Sequence, residues 1–289
     1  MDLLSIPTSF SEAVKHLLAK SLLPTGLGSA EIKQLDSGIR RQSLFSARTT
    51  NEYYLDQIKN AVDSVLNPQT IQRPDRVSPT NPAGNVTVGM NPATARASLR
   101  QTLRDLGYKP DEEDEGTIKD LSSDARLNLV VKTNVELAQG AGQFAQGNAN
   151  QDVVDAFPAW ELVRYEDREV PRGEKRGPER SIIPDPFNAW PTRFRAAATE
   201  AGDVDAIKVL DDTGRMIALK SSGTWEALGS GAGGYDDTLD NPFPPFAFNS
   251  GMWTEEVSRK ECIAVGLIQE GDAVEPSSFD LGSLFKEAA

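Results

Sequence analysis

The sequence has almost no cysteine or histidine. Its 289 residues include one cysteine, Cys262, and one histidine, His16. A lone cysteine excludes an internal disulfide and a cysteine-rich zinc site, so a buried apolar thiol is the expected role of Cys262. His16 lies off the apolar stripe of its predicted helix. We expect it to be solvated, because no serine or cysteine nucleophile motif accompanies it.

Long apolar runs and the common catalytic motifs are also missing. Eighteen apolar residues never occur together, and the first residues lack a basic region followed by an apolar run, so we expect neither a membrane span nor a signal peptide. The sequence contains no nucleophile elbow, zinc-protease motif, Walker loop or dinucleotide fingerprint. The glycine-rich run 229–234 has no Lys-Ser/Thr after it, so a flexible loop tip is expected and no cofactor is predicted.

Charge is unevenly distributed along the chain, whose net charge is -13. Residues 1–110 contain 13 Lys and Arg against 9 Asp and Glu, whereas residues 111–289 contain 17 against 34. The acidic part is unsuited to nonspecific DNA wrapping, which needs clustered cations. In the front part Arg96, Arg100 and Arg104 recur every fourth residue. A solvated helix face is the ordinary interpretation, and contact with DNA or an acidic neighbour is a further hypothesis.

Apolar spacing predicts mainly helices in the front part. Three helices are expected in residues 9–66, beginning near Ser9, Ser29 and Thr49, and another in residues 92–106 after Asn91. Between them, residues 67–91 are rich in proline and asparagine and predict an extended connector. The predicted organisation is therefore a helical module, residues 1–66, followed by a linker, residues 67–116.

The rear part mixes helix and strand patterns, which indicates an α+β fold with a small antiparallel sheet. The longest helix is expected from Ser122 or Ser123 to about residue 146. The other expected elements are a strand at 160–165, a surface loop at 173–189, a short helix at 193–201, a hairpin formed by 207–210 and 215–219, and a last helix capped by Thr254. This domain would occupy residues 117–270, and residues 271–289 would form a mobile tail.

The segment before Trp253 combines prolines with aromatic residues. Pro242, Pro244 and Pro245 fix φ and remove backbone donors, so the segment can be neither a helix nor a central strand. The large side chains of Phe243, Phe246, Phe248 and Trp253 need a surface to pack on. A rigid loop that closes the edge of a small core is favoured over a ligand site.

The order of several short motifs in the rear part resembles that of a known family. They are Ala125-Arg126 to Thr133-Asn134, Trp160, Asp167-Arg168 within D-R-x-x-P-R, Trp225, and Pro244-Pro245-Phe246-Ala247-Phe248-Asn249. This order is similar to that of the phage Mu F-like head-morphogenesis family, over about residues 122–268. In two places the chain departs from the family pattern: Ser250-Gly251-Met252 replaces Cys-Arg-Cys, and the family's histidine is absent. A metal or disulfide at these positions is thereby excluded, so the loop must be held by packing.

The resemblance implies a minor head protein of a tailed phage, located in the virion head and, during assembly, in the host cytoplasm. Implied partners are the portal protein and the major capsid or scaffolding protein, with contact to packaged DNA as a further implication and several copies per particle. The chain would act by contact and not by turnover. The residues implied to fix the core are Trp160, Trp225, Phe243, Pro245, Phe246, Phe248 and Asn249, with Asp167 and Arg168 as a polar bracket beneath the loop.

Two alternatives remain at the level of the sequence. A metal-dependent nuclease or other processing enzyme could use the carboxylates of Asp236, Asp237 and Asp240, although their proximity in sequence does not establish convergence in space. A more abundant capsid or connector component is the second alternative. DNA cleavage with Mg²⁺ or Mn²⁺ would identify the first, and copy number per particle the second.

Overall fold

The computed structural model describes residues 11–166, 170, 172–178 and 181–285. The chain divides into two compact units. Unit 1 comprises residues up to Gly142 together with a segment beginning at Gly282, and unit 2 comprises Gln143–Leu281. The sequence had placed a domain boundary at residues 116 and 117, which lies inside unit 1. The difference arises because Leu127, Val130 and Val131 of the long helix belong to the apolar cluster of unit 1.

Unit 1 is mostly helical. In chain order its elements are α1 (Ser11–Ala19), β1 (Ser21–Leu22), α2 (Ser29–Ile32), α3 (Ser37–Gln42), β2 (Ser43–Leu44), α4 (Glu52–Leu66), β3 (Gln69–Gln72), β4 (Asn85–Val88), α5 (Pro92–Asp105) and α6 (Asp124–Gly147), whose last turns belong to unit 2. Strands β1 and β2 are parallel, and β3 and β4 form an antiparallel pair.

The core of unit 1 follows the apolar stripes of its helices. Leu55 and Ile58 of α4 and Leu99 of α5 are fully or almost fully buried. Helix α4 begins after Asn51, whose side chain accepts a hydrogen bond from Tyr54 N, so the predicted cap at Thr49 is wrong by two residues. Helix α5 begins at Pro92 as predicted. The apolar stripes of α4 and α5 therefore correctly predict both the helices and the residues that these helices bury.

Three details of unit 1 differ from the sequence prediction. The single helix expected after Ser29 is interrupted, because Asp36 caps a separate helix α3 by accepting hydrogen bonds from Gly38 N and Ile39 N. The predicted extended connector contains the β3–β4 hairpin. The predicted capping residue Ser9 lies outside the described residues.

His16 is buried, contrary to the prediction of a solvated side chain. It is 3% exposed, and its Nδ1 lies 2.8 Å from the carbonyl oxygen of Leu284. Burial, followed by the nearby charge of Lys20, lowers the pKa of His16 to about 3 despite the hydrogen bond to Leu284. The helical pattern gave no sign of this, because Leu284 reaches the α1 side chain from the far end of the chain.

Unit 2 surrounds a small antiparallel sheet. After the end of α6 its elements are α7 (Gln151–Ala156), β5 (Ala159–Arg164), β6 (Glu174–Arg176), β7 (Ile182–Pro184), α8 (Trp190–Ala201), α9 (Val204–Thr213), β8 (Ile217–Leu219), α10 (Thr224–Ser230), β9 (Met252–Val257) and α11 (Arg259–Ala264). The strand order is β8-β5-β9, with Trp160 paired to Ala218 on one side and to Glu256 on the other. The predicted α+β class, with a long helix and a small antiparallel sheet, is confirmed.

Two elements of unit 2 were predicted with the wrong conformation. Residues 207–210 belong to helix α9 and not to a strand: Asp203 caps the helix at Ala206 N, and Gly214 ends it in the left-handed conformation. The helix predicted from Thr254 is strand β9, and α11 begins only after Ser258, which accepts a hydrogen bond from Glu261 N. Capping residues decide the conformation of α9, and pairing with β5 decides that of β9.

Two segments expected to be loose are ordered by contacts within unit 2. The predicted surface loop at 173–189 contains the β6–β7 hairpin. In the predicted mobile tail, Val274 is 4% exposed and its carbonyl accepts a 2.6 Å hydrogen bond from Gln151 Nε2. Ser277 N also donates to Asn148 Oδ1 at 2.8 Å. The tail prediction is therefore wrong for this part of the segment.

The glycine-rich run begins at a tightly packed residue, Gly229, so the expectation of a flexible tip is wrong there. Gly229 lies in α10, and its carbonyl accepts a hydrogen bond from Asp240 N at 2.9 Å. A Cβ atom on Gly229 would lie 1.9 Å from the carbonyl oxygen of Asn241. Glycine is needed here because the backbone of the next segment occupies the space of a side chain.

Replacing Gly229 with alanine is expected to lower the free energy of unfolding of unit 2 by about 1–3 kcal/mol, since Asn241 must move. Urea denaturation followed by tryptophan fluorescence measures this, because all four tryptophans lie in unit 2. Gly223→Ala is the control: its Cβ would meet only Ala201 Cβ, at 3.4 Å. A Gly229→Ala protein as stable as the control would contradict the packing argument.

Candidate functional site

A chain of aromatic rings connects the elements of unit 2. Phe144, on the last turns of α6, lies 5.2 Å from Trp160 of β5 and 5.7 Å from Phe243, measured between ring centroids. Trp160 lies 5.9 Å from Trp225 of α10. Trp225 in turn stacks on Phe246 at 5.9 Å. These rings join segments that are far apart in sequence.

Trp225 is at the centre of this cluster. It is 1% exposed, and Phe194 of α8 contacts it edge-on at 5.9 Å. Its indole Nε1 donates to the carbonyl oxygen of Leu219 at 2.9 Å, so the polar atom is satisfied in the core. Trp225 lies in the first turn of helix α10.

The proline segment, residues 241–248, packs against the ring cluster and is itself mostly buried. Phe243 and Phe246 are each 1% exposed, and Pro245 is buried. The segment is irregular, as the prolines predicted. It folds back on residues 237–239, with Leu239 N donating to Phe246 O at 3.1 Å and Phe248 N to Asp237 O at 2.9 Å.

Two of the residues expected to fix the core lie nearer the surface. Phe248 is half-buried, and Asn249 is exposed. Asn249 has φ 51°, a left-handed conformation that asparagine tolerates better than most residues. Its role is therefore in the turn that leads to β9, and the expectation that it packs in the core is wrong.

A cluster of two arginines around Asp237 holds the proline segment from the other side. Arg193 of α8 donates from Nη1 to Asp237 Oδ1 at 2.8 Å. Arg172 pairs with Asp237 Oδ2 and donates from Nη2 to the carbonyl oxygen of Phe248 at 2.7 Å. We call these three residues the arginine bracket. It ties α8, the segment before β6 and the proline segment together.

Burial and aromatic contact strengthen the bracket. The Arg193 side chain is 4% exposed, and its guanidinium carbon lies 5.3 Å from the ring centroid of Trp190 and 4.1 Å from that of Tyr235. Burial opposes ionisation of Asp237, but the hydrogen bonds and charges of Arg193 and Arg172 outweigh it and hold the pKa below its ordinary value. Asp237 is therefore a carboxylate at neutral pH.

Asp167 and Arg168, the predicted bracket, lie outside the described residues. The observed bracket uses Arg172, the last residue of the same D-R-x-x-P-R motif, with two residues that the sequence did not assign to this role. The sequence pattern indicates Asp237 only as a candidate metal ligand and Arg193 only as the start of a short helix. The spacing of Arg193 from Trp190 is the one sequence feature that indicates their contact, because residues at i and i+3 share a helix face.

A second buried charge supports the sheet. The Lys220 side chain is fully buried, and Nζ lies 2.6 Å from Glu256 Oε2 and donates to Gly147 O at 2.9 Å. Trp160 Nε1 donates to the other oxygen of Glu256 at 3.3 Å. The pair thus links the end of α6 to β9. Nothing in the sequence pattern singled out Lys220.

Two of the three arginines in the basic stripe of α5 form hydrogen bonds within unit 1. Arg96 Nη1 donates to Asn128 Oδ1 at 3.0 Å, and Arg100 Nε donates to Ser122 O at 3.0 Å while its Nη2 pairs with Asp124. Arg96 and Arg100 are half-buried, and Arg104 is exposed. The stripe therefore helps to attach α5 to the start of α6.

Chemically, the site in unit 2 combines packed aromatic rings with paired charges, Asp237 with Arg172 and Arg193 and Lys220 with Glu256. Within the described ranges, no group of three or more His, Cys, Asp or Glu side chains is placed to hold a metal ion. The same described residues contain no helix that is long and apolar enough to cross a membrane.

Comparison with known proteins gave no relative. No family model, no curated protein and no solved structure matches the chain.

Proposed function

We propose that the chain is a structural minor head protein of a tailed phage or prophage, associated with the portal or capsid, that assists procapsid assembly, DNA packaging or ejection through protein contacts. One observation carries the proposal. The motifs whose order resembles the head-morphogenesis family, separated by tens of residues, supply neighbouring rings of one core: Trp160, Trp225 and Phe246. Arg172, from a further motif, bonds to the end of the proline segment.

The arrangement suits a protein that acts by adhesion. Its two arginines and one carboxylate hold a loop in place, and three of its four tryptophans are buried in the core. The acidic rear half favours docking on a basic partner surface, such as one on the portal, capsid or scaffolding protein, more than it favours DNA.

Purified heads test this proposal. We expect mass spectrometry to find the protein in heads from the wild-type phage, at far fewer copies than the major capsid protein. Deleting its gene should lower the yield of DNA-filled heads, and the wild-type gene supplied in trans should restore it. Cross-linking of wild-type heads should join the protein to the portal, capsid or scaffolding protein.

Three outcomes would contradict the proposal. Absence of the protein from purified heads would exclude a virion component. A copy number equal to that of the major capsid protein would indicate a shell or connector component. Cleavage of DNA by the purified protein with Mg²⁺ or Mn²⁺, abolished by EDTA, would indicate a nuclease.

A further inference from the structure

The β3–β4 hairpin of unit 1 is a sheet of only two strands. Within the described residues no third strand pairs with β3 or β4, and Gln72 and the residues 73–77 that follow it are exposed. Both strands have four residues, none of them charged. Edge strands are usually protected by charged side chains, prolines or bulges, and two strands alone are only marginally stable. The uncharged edge therefore indicates a place where another strand can add.

The register of the hairpin shows which backbone groups point outwards. Arg73 N donates to Gly84 O at 2.8 Å, so this pair bonds across the hairpin. Hydrogen-bonded and non-hydrogen-bonded pairs alternate in an antiparallel ladder, so Ile71 also bonds across it. Thr70 and Gln72 then point their N–H and C=O groups away from β4. In the described part of the chain, these groups receive no backbone hydrogen bond from outside the hairpin.

The two edges of the hairpin differ. On β4 the position opposite Gln72 is Asn85, whose N–H and C=O groups also point outwards. The side chain of Asn81 occupies both groups: Asn85 N donates to Asn81 Oδ1 at 3.0 Å, and Asn81 Nδ2 donates to Asn85 O at 2.9 Å. The β4 edge is therefore blocked at this position, whereas the β3 edge is open.

We propose that the β3 edge pairs with the β3 edge of a second copy of this chain. An antiparallel, two-fold arrangement centred on Ile71 brings Thr70 of each copy opposite Gln72 of the other. Each of these two pairs exchanges two backbone hydrogen bonds, so every outward group of both strands is used. The result is a sheet with the strand order β4-β3-β3-β4, which closes at two copies because the outer edges are blocked. This pairing depends on unit 1 alone and not on the proposed head function.

Charge complementarity favours a second copy as the occupant. The hairpin tip has two arginines that share one carboxylate, Arg73 and Arg76 with Asp75, so its net charge is positive. Because the paired strands run in opposite directions, the tip of each hairpin lies at the base of the other, where α4 ends at Leu66. The C-terminal end of a helix is the negative end of its dipole, and the last turn of α4 contains Asp63 and no basic residue. The basic tip therefore suits the α4 end of an identical chain.

Sedimentation equilibrium of the full-length protein tests the proposal. We expect the average mass to rise from that of the monomer toward twice that value, with a midpoint on the order of 100 µM, the weak range of a small interface. Thr70→Pro removes an outward N–H from the β3 edge, so it should weaken self-association at least tenfold. Thr87→Pro is the matched control, because Thr87 lies opposite Thr70 and its N–H is on the β4 edge. It should self-associate as the wild type does.

Disulfide cross-linking tests the register independently. In the two-fold arrangement the two copies of Ile71 form a non-hydrogen-bonded pair with Cα atoms about 4.5 Å apart, which is within the range of a disulfide. Under mild oxidation with glutathione, Ile71→Cys should form a linked dimer at least tenfold faster than Val86→Cys, which lies across the hairpin on β4. The native thiol should not interfere, because Cys262 is buried and burial raises its pKa to about 11.

Several results would overturn the proposal. A protein that remains monomeric well above the expected midpoint would leave the β3 edge to a strand of another protein. Equal cross-linking of the two cysteine variants, association of Thr70→Pro at wild-type strength, or growth beyond two copies would each contradict the closed two-fold pairing. Loss of association in both proline variants would also contradict it, since Thr87 takes no part in pairing at β3.

Discussion

Trp225→Ala is expected to lower the free energy of unfolding of unit 2 by about 3–5 kcal/mol, the cost of truncating a large buried aromatic side chain. Trp225 contacts Trp160, Phe194 and Phe246, so its removal leaves a cavity among rings that cannot close around it. The carbonyl of Leu219 also loses its indole donor. Since a whole domain is stable by only about 5–15 kcal/mol, this change should populate unfolded unit 2.

Urea denaturation followed by tryptophan fluorescence isolates the effect, because Trp160, Trp190, Trp225 and Trp253 are the only tryptophans and all belong to unit 2. Trp253→Ala is the control, since it also removes one fluorophore but from a half-buried position beside the exposed Tyr165. We expect it to cost roughly 1 kcal/mol, the average for a point substitution. Equal losses in the two variants would show that the ring cluster is not the centre of stability.

Asp237→Ala is expected to lower the free energy of unfolding of unit 2 by about 3 kcal/mol, the lower end of the range for breaking a buried ion pair. The substitution leaves the Arg193 side chain, 4% exposed, without its carboxylate. The lower end applies because the Asp237 side chain is 29% exposed and partly screened by solvent. Arg172 loses its carboxylate partner at the same time.

The contribution of Asp237 should also depend on pH. Its folded pKa is held below the ordinary value by Arg193 and Arg172, in spite of burial. A group with a depressed folded pKa stabilises the fold above its unfolded pKa, about 4 for aspartate, and loses that contribution as pH falls through the folded pKa. The stability difference between wild type and Asp237→Asn should therefore be constant near pH 7 and shrink below about pH 4.

An exposed pair in the same unit provides the comparison. Arg195 and Asp211 form a salt bridge whose side chains are 45% and 53% exposed. Asp211→Asn should change the urea midpoint little, because exposed pairs gain little in water. If Asp237→Asn and Asp211→Asn were equally stable, or if the Asp237 difference persisted at low pH, the bracket would not stabilise the loop in the manner described.

Several elements could be predicted because their information is local. Helices α4 and α5 carry apolar stripes with helical spacing, and both begin beside an asparagine cap. Helix α6 begins where Ser123 accepts a hydrogen bond from Arg126 N, as the predicted serine cap required. The proline segment is irregular because proline forbids regular structure whatever its surroundings.

Prediction failed where the local pattern allowed two conformations. The apolar residues around Val209 suit a short strand or a helix, and the stretch was assigned to a strand although Asp203 and Gly214 mark helix ends. Residues 252–257 form a strand because β5 is available to pair with them. Short apolar runs are ambiguous in this way, and the pairing partner is not visible along the chain.

By itself the sequence determined the α+β class, the long helix, the irregular proline segment and the buried aromatic rings, since backbone sterics and apolar periodicity are local properties. Only the tertiary structure decided that Asp237 pairs with Arg172 and Arg193 and that Lys220 reaches Glu256. Each of these depends on side chains brought together by folding from distant positions. Charge pairing has no sequence period, so no pattern along the chain could reveal it.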